Sequence, residues 1–130
     1  MKHLLTITLF AAMAVCCGSN KNTEQTSQGS VTTIGVEEFA KVIGKKNVRL
    51  IDVRTPKEYA EGHIDNAINI DVQNDSFEAK AVSTLPKDKT IALYCRSGRR
   101  SKNAAKILSA NGYTVVELNS GYNGWKKSFN

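Results

Sequence analysis

The chain has 130 residues, of which 41% are hydrophobic and 23% are charged, and its formal net charge is +6. This length suffices for one globular domain with one core and is too short for two. The basic excess suits anionic small molecules. We expect no nucleic-acid partner, because the sequence has no long basic run with interleaved aromatic residues.

The first thirty residues differ in composition from the rest of the chain. Lys2 and His3 precede an apolar run from Leu4 to Val15, and the tract that follows is polar and has no apolar periodicity. This order is typical of an export signal followed by a flexible tether. The run is shorter than the roughly 20 residues that a membrane-spanning helix needs. We therefore predict a signal peptide at residues 1–17, a tether at 18–30 and one folded domain at 31–130.

Two adjacent cysteines end the apolar run and resemble the cleavage region of a bacterial lipoprotein signal, in which the cysteine after the cut is acylated. Cys17 is the predicted lipidation site, and Cys16 is the alternative. Cleavage after the small residues Ala12 and Ala14, which would release a soluble secreted protein, is a further alternative. The resemblance implies a bacterial lipoprotein of the periplasm or cell envelope, held at the membrane by a lipid anchor.

From Val31 onward, short strand-like runs alternate with helix-like ones. The segment "VTTIGVEEFAKVIGKK" predicts an opening strand and helix. The branched apolar run "VRLIDV" predicts a strand, and "TPKEYAEG" predicts a helix that a Thr-Pro pair begins and Gly62 ends. A short strand at "NAINI" and a polar helix over residues 75–84 follow.

The second half of the domain continues the alternation. "TIALY" predicts a strand, the next helix has apolar residues at helical spacing and ends at Gly112, "TVVEL" predicts a strand, and a helix around Tyr122–Ser128 closes the chain. Such a pattern favours a parallel sheet with helices on both faces. Ligands of these sheets bind beyond the carboxyl ends of the strands, which is where Cys95 is expected.

Cys95 is the one cysteine of the predicted domain and follows directly after "TIALY". Gly98 allows the backbone to curl with its N–H groups pointing inward, and the next helix adds its positive N-terminus. Such surroundings and neighbouring arginines, here Arg96, Arg99 and Arg100, lower the pKa of a cysteine. Guanidinium groups also suit a sulfonate, sulfate or phosphate. The pattern predicts a reactive thiolate that meets an anionic substrate. The alternative is a buried core cysteine beside solvated charges.

Three segments of the domain resemble the signatures of the rhodanese family: "LIDVRTPKEYAEGHIDNAINI", "YCRSGRRS" and "LNSGYNGW". They occur in the family's order and at compatible spacing over nearly all of residues 31–130. The resemblance implies a three-layer α/β fold with a central parallel β-sheet flanked by helices. It also implies a sulfurtransferase that carries sulfur as a persulfide on Cys95, with no metal and no organic cofactor.

The resemblance further implies roles for single residues. The loop residues expected to bind the substrate are Arg96, Ser97, Gly98, Arg99 and Arg100, and those expected to support the site structurally are Asp52, Arg54 and His63. The implied sulfur donor is thiosulfate, polysulfide or a low-molecular-weight persulfide, the acceptor is cyanide or a thiol, and the protein is expected to be a monomer. Asn66 stands where the family commonly has glycine, and asparagine tolerates left-handed backbone.

Other functions are alternatives to this interpretation. A dyad of Cys95 with His63, as in cysteine proteases, is disfavoured because the loop itself favours the thiolate, and these two soft ligands are too few for zinc. A phosphatase or arsenate reductase would place five residues between cysteine and arginine, whereas four separate Cys95 from Arg100. A persulfide carrier that serves a partner protein would share Cys95 and its loop, so the sequence leaves this alternative open.

Overall fold

A computed structural model describes residues 28–130 of the chain. The predicted signal peptide, with Cys16 and Cys17, and the predicted tether up to residue 27 lie outside the described residues. Across residues 28–130, every helix is too short or too polar to cross a membrane.

Five parallel strands form the central sheet, in the spatial order β1, β5, β4, β2, β3. Their bounds are Ser30–Ile34 for β1, Val48–Asp52 for β2, Ile68–Asn69 for β3, Thr90–Tyr94 for β4 and Thr114–Leu118 for β5. The central strand is β4, where Leu93 lies opposite Ile51 of β2 and Glu117 of β5. The predicted α/β fold with a parallel sheet is confirmed, and Cys95 directly follows the carboxyl end of the central strand.

Helices cover both faces of this sheet. They are α1 (Val36–Ile43), α2 (Pro56–Glu61), α3 (Phe77–Thr84), α4 (Arg99–Ala110) and α5 (Gly121–Phe129). Successive residues of a strand point to opposite faces, so Leu93 packs in a cluster with residues of α3 and α4. Tyr94 packs in a second cluster with Phe39 of α1 and Trp125 of α5. The apolar core therefore has two halves, one on each side of the sheet.

Local hydrogen bonds explain where the helices begin. The Thr55 hydroxyl accepts a hydrogen bond from the Glu58 amide at 3.3 Å, and the Glu58 carboxylate accepts one from the Thr55 amide at 3.0 Å. This capping box confirms the predicted start of α2. The predicted helix at 75–84 is shorter in the structure, because the Asn74 side chain accepts hydrogen bonds from the Ser76 amide and hydroxyl, and α3 begins after that turn.

The strand predicted at "NAINI" is also shorter than expected. Only Ile68–Asn69 pair with β2. Asn66 has a φ of 68°, a left-handed conformation that interrupts the extended backbone before the strand. Asparagine tolerates this conformation better than most residues, so the expectation for Asn66 is confirmed.

Candidate active site

The loop after β4 curls around the sulfur of Cys95. The amide of Gly98 donates a hydrogen bond to Cys95 Sγ, with an N–S distance of 3.1 Å. Gly98 has a φ of 93°, and a side chain at this position would collide with the carbonyl oxygen of Asn119. Glycine is therefore required both by the left-handed backbone and by the close approach of the neighbouring segment.

Cys95 is 1% exposed, and its environment favours the ionised sulfur. Burial raises the pKa of the thiol, but the hydroxyl and backbone amide of Ser101 and the amides of Ser97 and Gly98, all of which can donate to a thiolate, lower it, so that the pKa lies below its ordinary value. Inward-pointing amides stabilise a thiolate by direct donation to its negative charge. The loop can therefore supply a nucleophilic sulfur.

The N-terminus of α5 holds the loop in this shape. The Tyr122 amide donates to the Cys95 carbonyl oxygen at 2.7 Å, and the Asn123 amide donates to the Arg96 carbonyl oxygen at 3.0 Å. Gly121 has a φ of 60°, and a Cβ there would lie 2.5 Å from the carbonyl carbon of Arg96. These contacts occupy carbonyl groups of the loop and leave its N–H groups for the sulfur.

The structure separates the three arginines of the loop by their surroundings. Arg100 forms a two-bond ion pair with Glu58 of α2, at 2.7 and 2.8 Å. The hydrogen bond from Arg100 is the main reason that the pKa of Glu58 falls to about 2. Arg100 thus joins the loop to α2. Glu58 engages both terminal guanidinium nitrogens of Arg100. Arg96 and Arg99 are exposed and can meet an anion at the surface of the loop.

A buried ion pair lies at the end of β2, next to the central strand. Arg54 donates to both carboxylate oxygens of Asp52, at 3.0 and 2.7 Å, and to the Gly62 carbonyl oxygen at 2.6 Å. The Tyr94 hydroxyl donates to the same carboxylate at 2.9 Å, and burial together with Asp52 raises the pKa of Tyr94. The Arg54 guanidinium also lies 4.3 Å from the ring centre of Tyr122. The pair therefore ties the strand ends to the helix that holds the loop.

His63 lies away from this arrangement. Its exposed ring stacks on Tyr59 with 3.7 Å between ring centres, and its Nδ1 is 2.9 Å from the Tyr59 carbonyl oxygen. Within residues 28–130, its described contacts do not reach Cys95, so the structure gives no geometry for a cysteine–histidine dyad. The same residues contain no group of three His, Cys, Asp or Glu side chains that could hold a metal ion.

Two polar residues outside the predicted set form a chain of contacts that starts at the sulfur. Ser101 Oγ is 3.4 Å from Cys95 Sγ, and the carboxylate of Glu117 on β5 is 3.2 Å from that hydroxyl. Both residues are buried. The sequence did hold a signal for Glu117, because a glutamate inside the apolar strand "TVVEL" is almost never fully buried without a partner.

A cavity of about 430 Å³ opens beside the loop. Its walls include three cations, Arg54, Arg96 and Lys126, together with the carboxylates of Glu58 and Glu61. Since Arg96 belongs to the loop and is exposed, the cavity offers a charged approach for a small molecule.

Comparison with known proteins shows which family this domain resembles. Residues 35–128 match the Rhodanese-like domain. The thiosulfate sulfurtransferase PspE of Escherichia coli is 44% identical over 67 residues, which cover 52% of this chain and 64% of that protein. The thiosulfate:glutathione sulfurtransferase of Saccharomyces cerevisiae is 32% identical over 109 residues, which cover 74% of this chain and 78% of that protein.

Solved structures show the same likeness in three dimensions. The crystal structure of a rhodanese-related protein from Thermoplasma volcanium superposes with a TM-score of 0.65 at 31% identity, covering 75% of this chain and 92% of that one. The named relatives support a sulfurtransferase function in general. Because the family match extends over residues 35–128, most of the chain, the chain belongs to the rhodanese-like family.

Proposed function

We propose that this domain moves sulfane sulfur through a persulfide on Cys95. The observation that carries the proposal is the Gly98 amide at 3.1 Å from Cys95 Sγ, in a loop whose hydrogen bonds lower the pKa of the thiol. Donors fixed in place before the reaction stabilise a thiolate, and they equally suit the negative outer sulfur of a persulfide.

In the first half-reaction, the Cys95 thiolate attacks the outer sulfur of the donor. With thiosulfate, a sulfur–sulfur bond forms to Cys95 while the bond to the sulfonate sulfur breaks, and the electron pair leaves with sulfite. The products are the persulfide anion and sulfite, so charge is conserved. A polysulfide or a low-molecular-weight persulfide would react in the same way, with a shorter polysulfide or a thiolate as leaving group.

In the second half-reaction, cyanide or a thiolate attacks the outer sulfur of the persulfide. The bond to Cys95 breaks, its electron pair returns to the Cys95 thiolate, and thiocyanate or a new persulfide leaves. The name of the yeast relative, which pairs thiosulfate with glutathione, supports a thiol acceptor. Because the sulfur rests on the enzyme between the two steps, ping-pong kinetics are expected.

An anionic donor fits the charges around the loop. Arg96 and Arg99 are exposed, and Arg96 shares a cavity wall with Lys126. A phosphatase or arsenate reductase would need its loop arginine to hold the tetrahedral oxyanion. Arg100 is instead engaged by Glu58, which favours sulfur transfer over that chemistry.

Intact mass spectrometry tests the persulfide directly. The experiment uses a chain with Cys16→Ser and Cys17→Ser, so that Cys95 is the single remaining cysteine of the sequence. After thiosulfate or polysulfide, we expect a gain of one sulfur atom that cyanide removes and that a further Cys95→Ser change abolishes. If no donor loads Cys95, the proposal is wrong. Loading without turnover by cyanide or thiols would favour a persulfide carrier for a partner protein.

We also propose that the chain is exported and anchored as a bacterial lipoprotein, acylated at Cys17 or alternatively at Cys16. The support is the basic start, the short apolar run and the polar tract of residues 1–30. Metabolic labelling with a palmitate analogue, applied to the native chain and to Cys17→Ser and Cys16→Ser, tests this. An unlabelled native chain would contradict the anchor. Light scattering of the purified protein tests the expected monomer.

A further inference from the structure

A carboxylate that the proposed reaction does not use is linked to the nucleophile through the side chain of one residue, Ser101. Glu117 is 1% exposed within β5. Its Oε1 accepts hydrogen bonds from the Ser101 hydroxyl at 3.2 Å and from Lys102 Nζ at 3.1 Å, and its Oε2 is 3.5 Å from the Thr33 hydroxyl. Ser101 in turn is the residue whose oxygen is 3.4 Å from Cys95 Sγ. A continuous chain of contacts therefore joins the sulfur to a buried charge.

The single hydroxyl hydrogen of Ser101 can serve only one of its two neighbours at a time. An ionised carboxylate can only accept hydrogen bonds. When the sulfur does not need the Ser101 hydrogen, the hydroxyl therefore donates it to Glu117. The Ser101 oxygen then faces Cys95 with its lone pairs and accepts the hydrogen of the neutral thiol, which is the arrangement in the structure. A thiolate has no hydrogen to give, and the hydroxyl must rotate toward the sulfur to stabilise it.

We propose that Glu117 is a positioning residue that draws the Ser101 hydroxyl away from Cys95 and thereby disfavours the thiolate relative to the thiol and the persulfide. In a persulfide, the negative charge resides on the outer sulfur, so the inner sulfur does not need the hydroxyl and Ser101 can return to Glu117. The part of this inference that concerns the persulfide rests on the proposed function. The part that concerns the thiol does not.

The charged groups around this chain act from different sides. Lys102 of α4 contacts Glu117 and partly compensates its charge, although the Lys102 side chain is 62% exposed and therefore screened by solvent. The loop amides and Arg100 favour the ionised sulfur from the other side. Glu117 thus opposes the loop, and the two together set how much thiolate is present and how firmly transferred sulfur is retained.

The rate of alkylation by iodoacetamide as a function of pH measures the thiolate directly. In the chain with Cys16→Ser and Cys17→Ser, Glu117→Gln keeps the shape of the side chain and gives it an amide that can donate to the Ser101 oxygen. We expect about three- to tenfold more thiolate at pH values below the pKa of Cys95, the size of one ordinary net hydrogen bond. An unchanged alkylation profile would overturn the inference.

A Ser101→Ala background distinguishes positioning from a mere charge effect. In a Ser101→Ala background, Glu117→Gln should change alkylation less than twofold, because the hydroxyl that transmits the effect is gone. An equal shift in both backgrounds would refute the role of Ser101. If Glu117→Gln does not fold, Lys102→Gln tests the inference instead, because the Lys102 side chain is exposed and its replacement should leave the fold intact. It should shift the thiolate fraction in the opposite direction, by about twofold at most, and a shift toward more thiolate would contradict the inference.

The lifetime of the loaded enzyme gives a second readout. After loading with thiosulfate, the Glu117→Gln protein should lose its sulfur to cyanide about three- to tenfold faster than the parent, because the departing thiolate is stabilised. Equal unloading rates would overturn the part that concerns the persulfide. If no donor loads either protein, the proposed function fails, whereas the alkylation result still decides the role of Glu117.

Discussion

Replacing Glu58 by glutamine should weaken the connection between α2 and the loop. The pKa of Glu58 falls from 4.5 to about 2, which corresponds to about 3 kcal/mol of interaction between its charge and its surroundings. The side chains of Arg100 and Glu58 are 22% and 24% exposed, so solvent screening reduces this contribution. We therefore expect Glu58→Gln to lower the free energy of unfolding by about 1–2 kcal/mol at pH 7.

Urea unfolding followed by the fluorescence of Trp125, the single tryptophan of the sequence, measures this difference. Because the pKa of Glu58 is lower in the folded state, its contribution is present above pH 4.5 and is lost as the pH falls toward 2. The two proteins should therefore converge in stability in acid. Equal stability at pH 7, or a difference that persists unchanged at pH 2, would refute the assignment of the stabilisation to this ion pair.

Three more changes follow from the site. Gly98→Ala forces a side chain onto a backbone with a φ of 93° and against the Asn119 carbonyl, so sulfur loading should slow at least about tenfold. Loading at the native rate by mass spectrometry would contradict this. Asp52→Asn leaves the buried Arg54 charge without its partner and should cost about 3–5 kcal/mol. A loss below about 1 kcal/mol in urea unfolding would contradict the role of the pair. Arg96→Gln should raise KM for thiosulfate about three- to tenfold at low salt, with a smaller effect at high salt, and an equal effect at both would contradict electrostatic attraction.

Much of the fold was predictable because each element has a local cause. The alternation of branched apolar runs with helical spacing predicted every strand of the sheet, and the Thr55 cap and Gly62 predicted the limits of α2. The order of the strands was not predictable, because an apolar run shows that a strand is buried on both faces but not which strand lies beside it. The brevity of β3 depends on the left-handed Asn66 and could not be seen in the apolar pattern.

The candidate active site could likewise be predicted only in part from the sequence. The curl of the loop around Cys95 depends on residues close in sequence, so Gly98 and the start of α4 could be placed beforehand. The pairs Arg100–Glu58 and Ser101–Glu117 join residues 42 and 16 positions apart. They exist only because β2 and β5 flank the central strand. For this reason the sequence could suggest Arg100 as a functional residue of the loop but could not show Glu58 as its partner.

The hold of α5 on the loop has a consequence for how the protein matures. The amides that bind the carbonyl groups of Cys95 and Arg96 belong to Tyr122 and Asn123, which leave the ribosome after the loop has already emerged. The carbonyl groups of Cys95 and Arg96 therefore gain these partners only when the C-terminal helix docks on the rest of the domain. The final shape of the loop thus depends on the last segment of the domain to be synthesised.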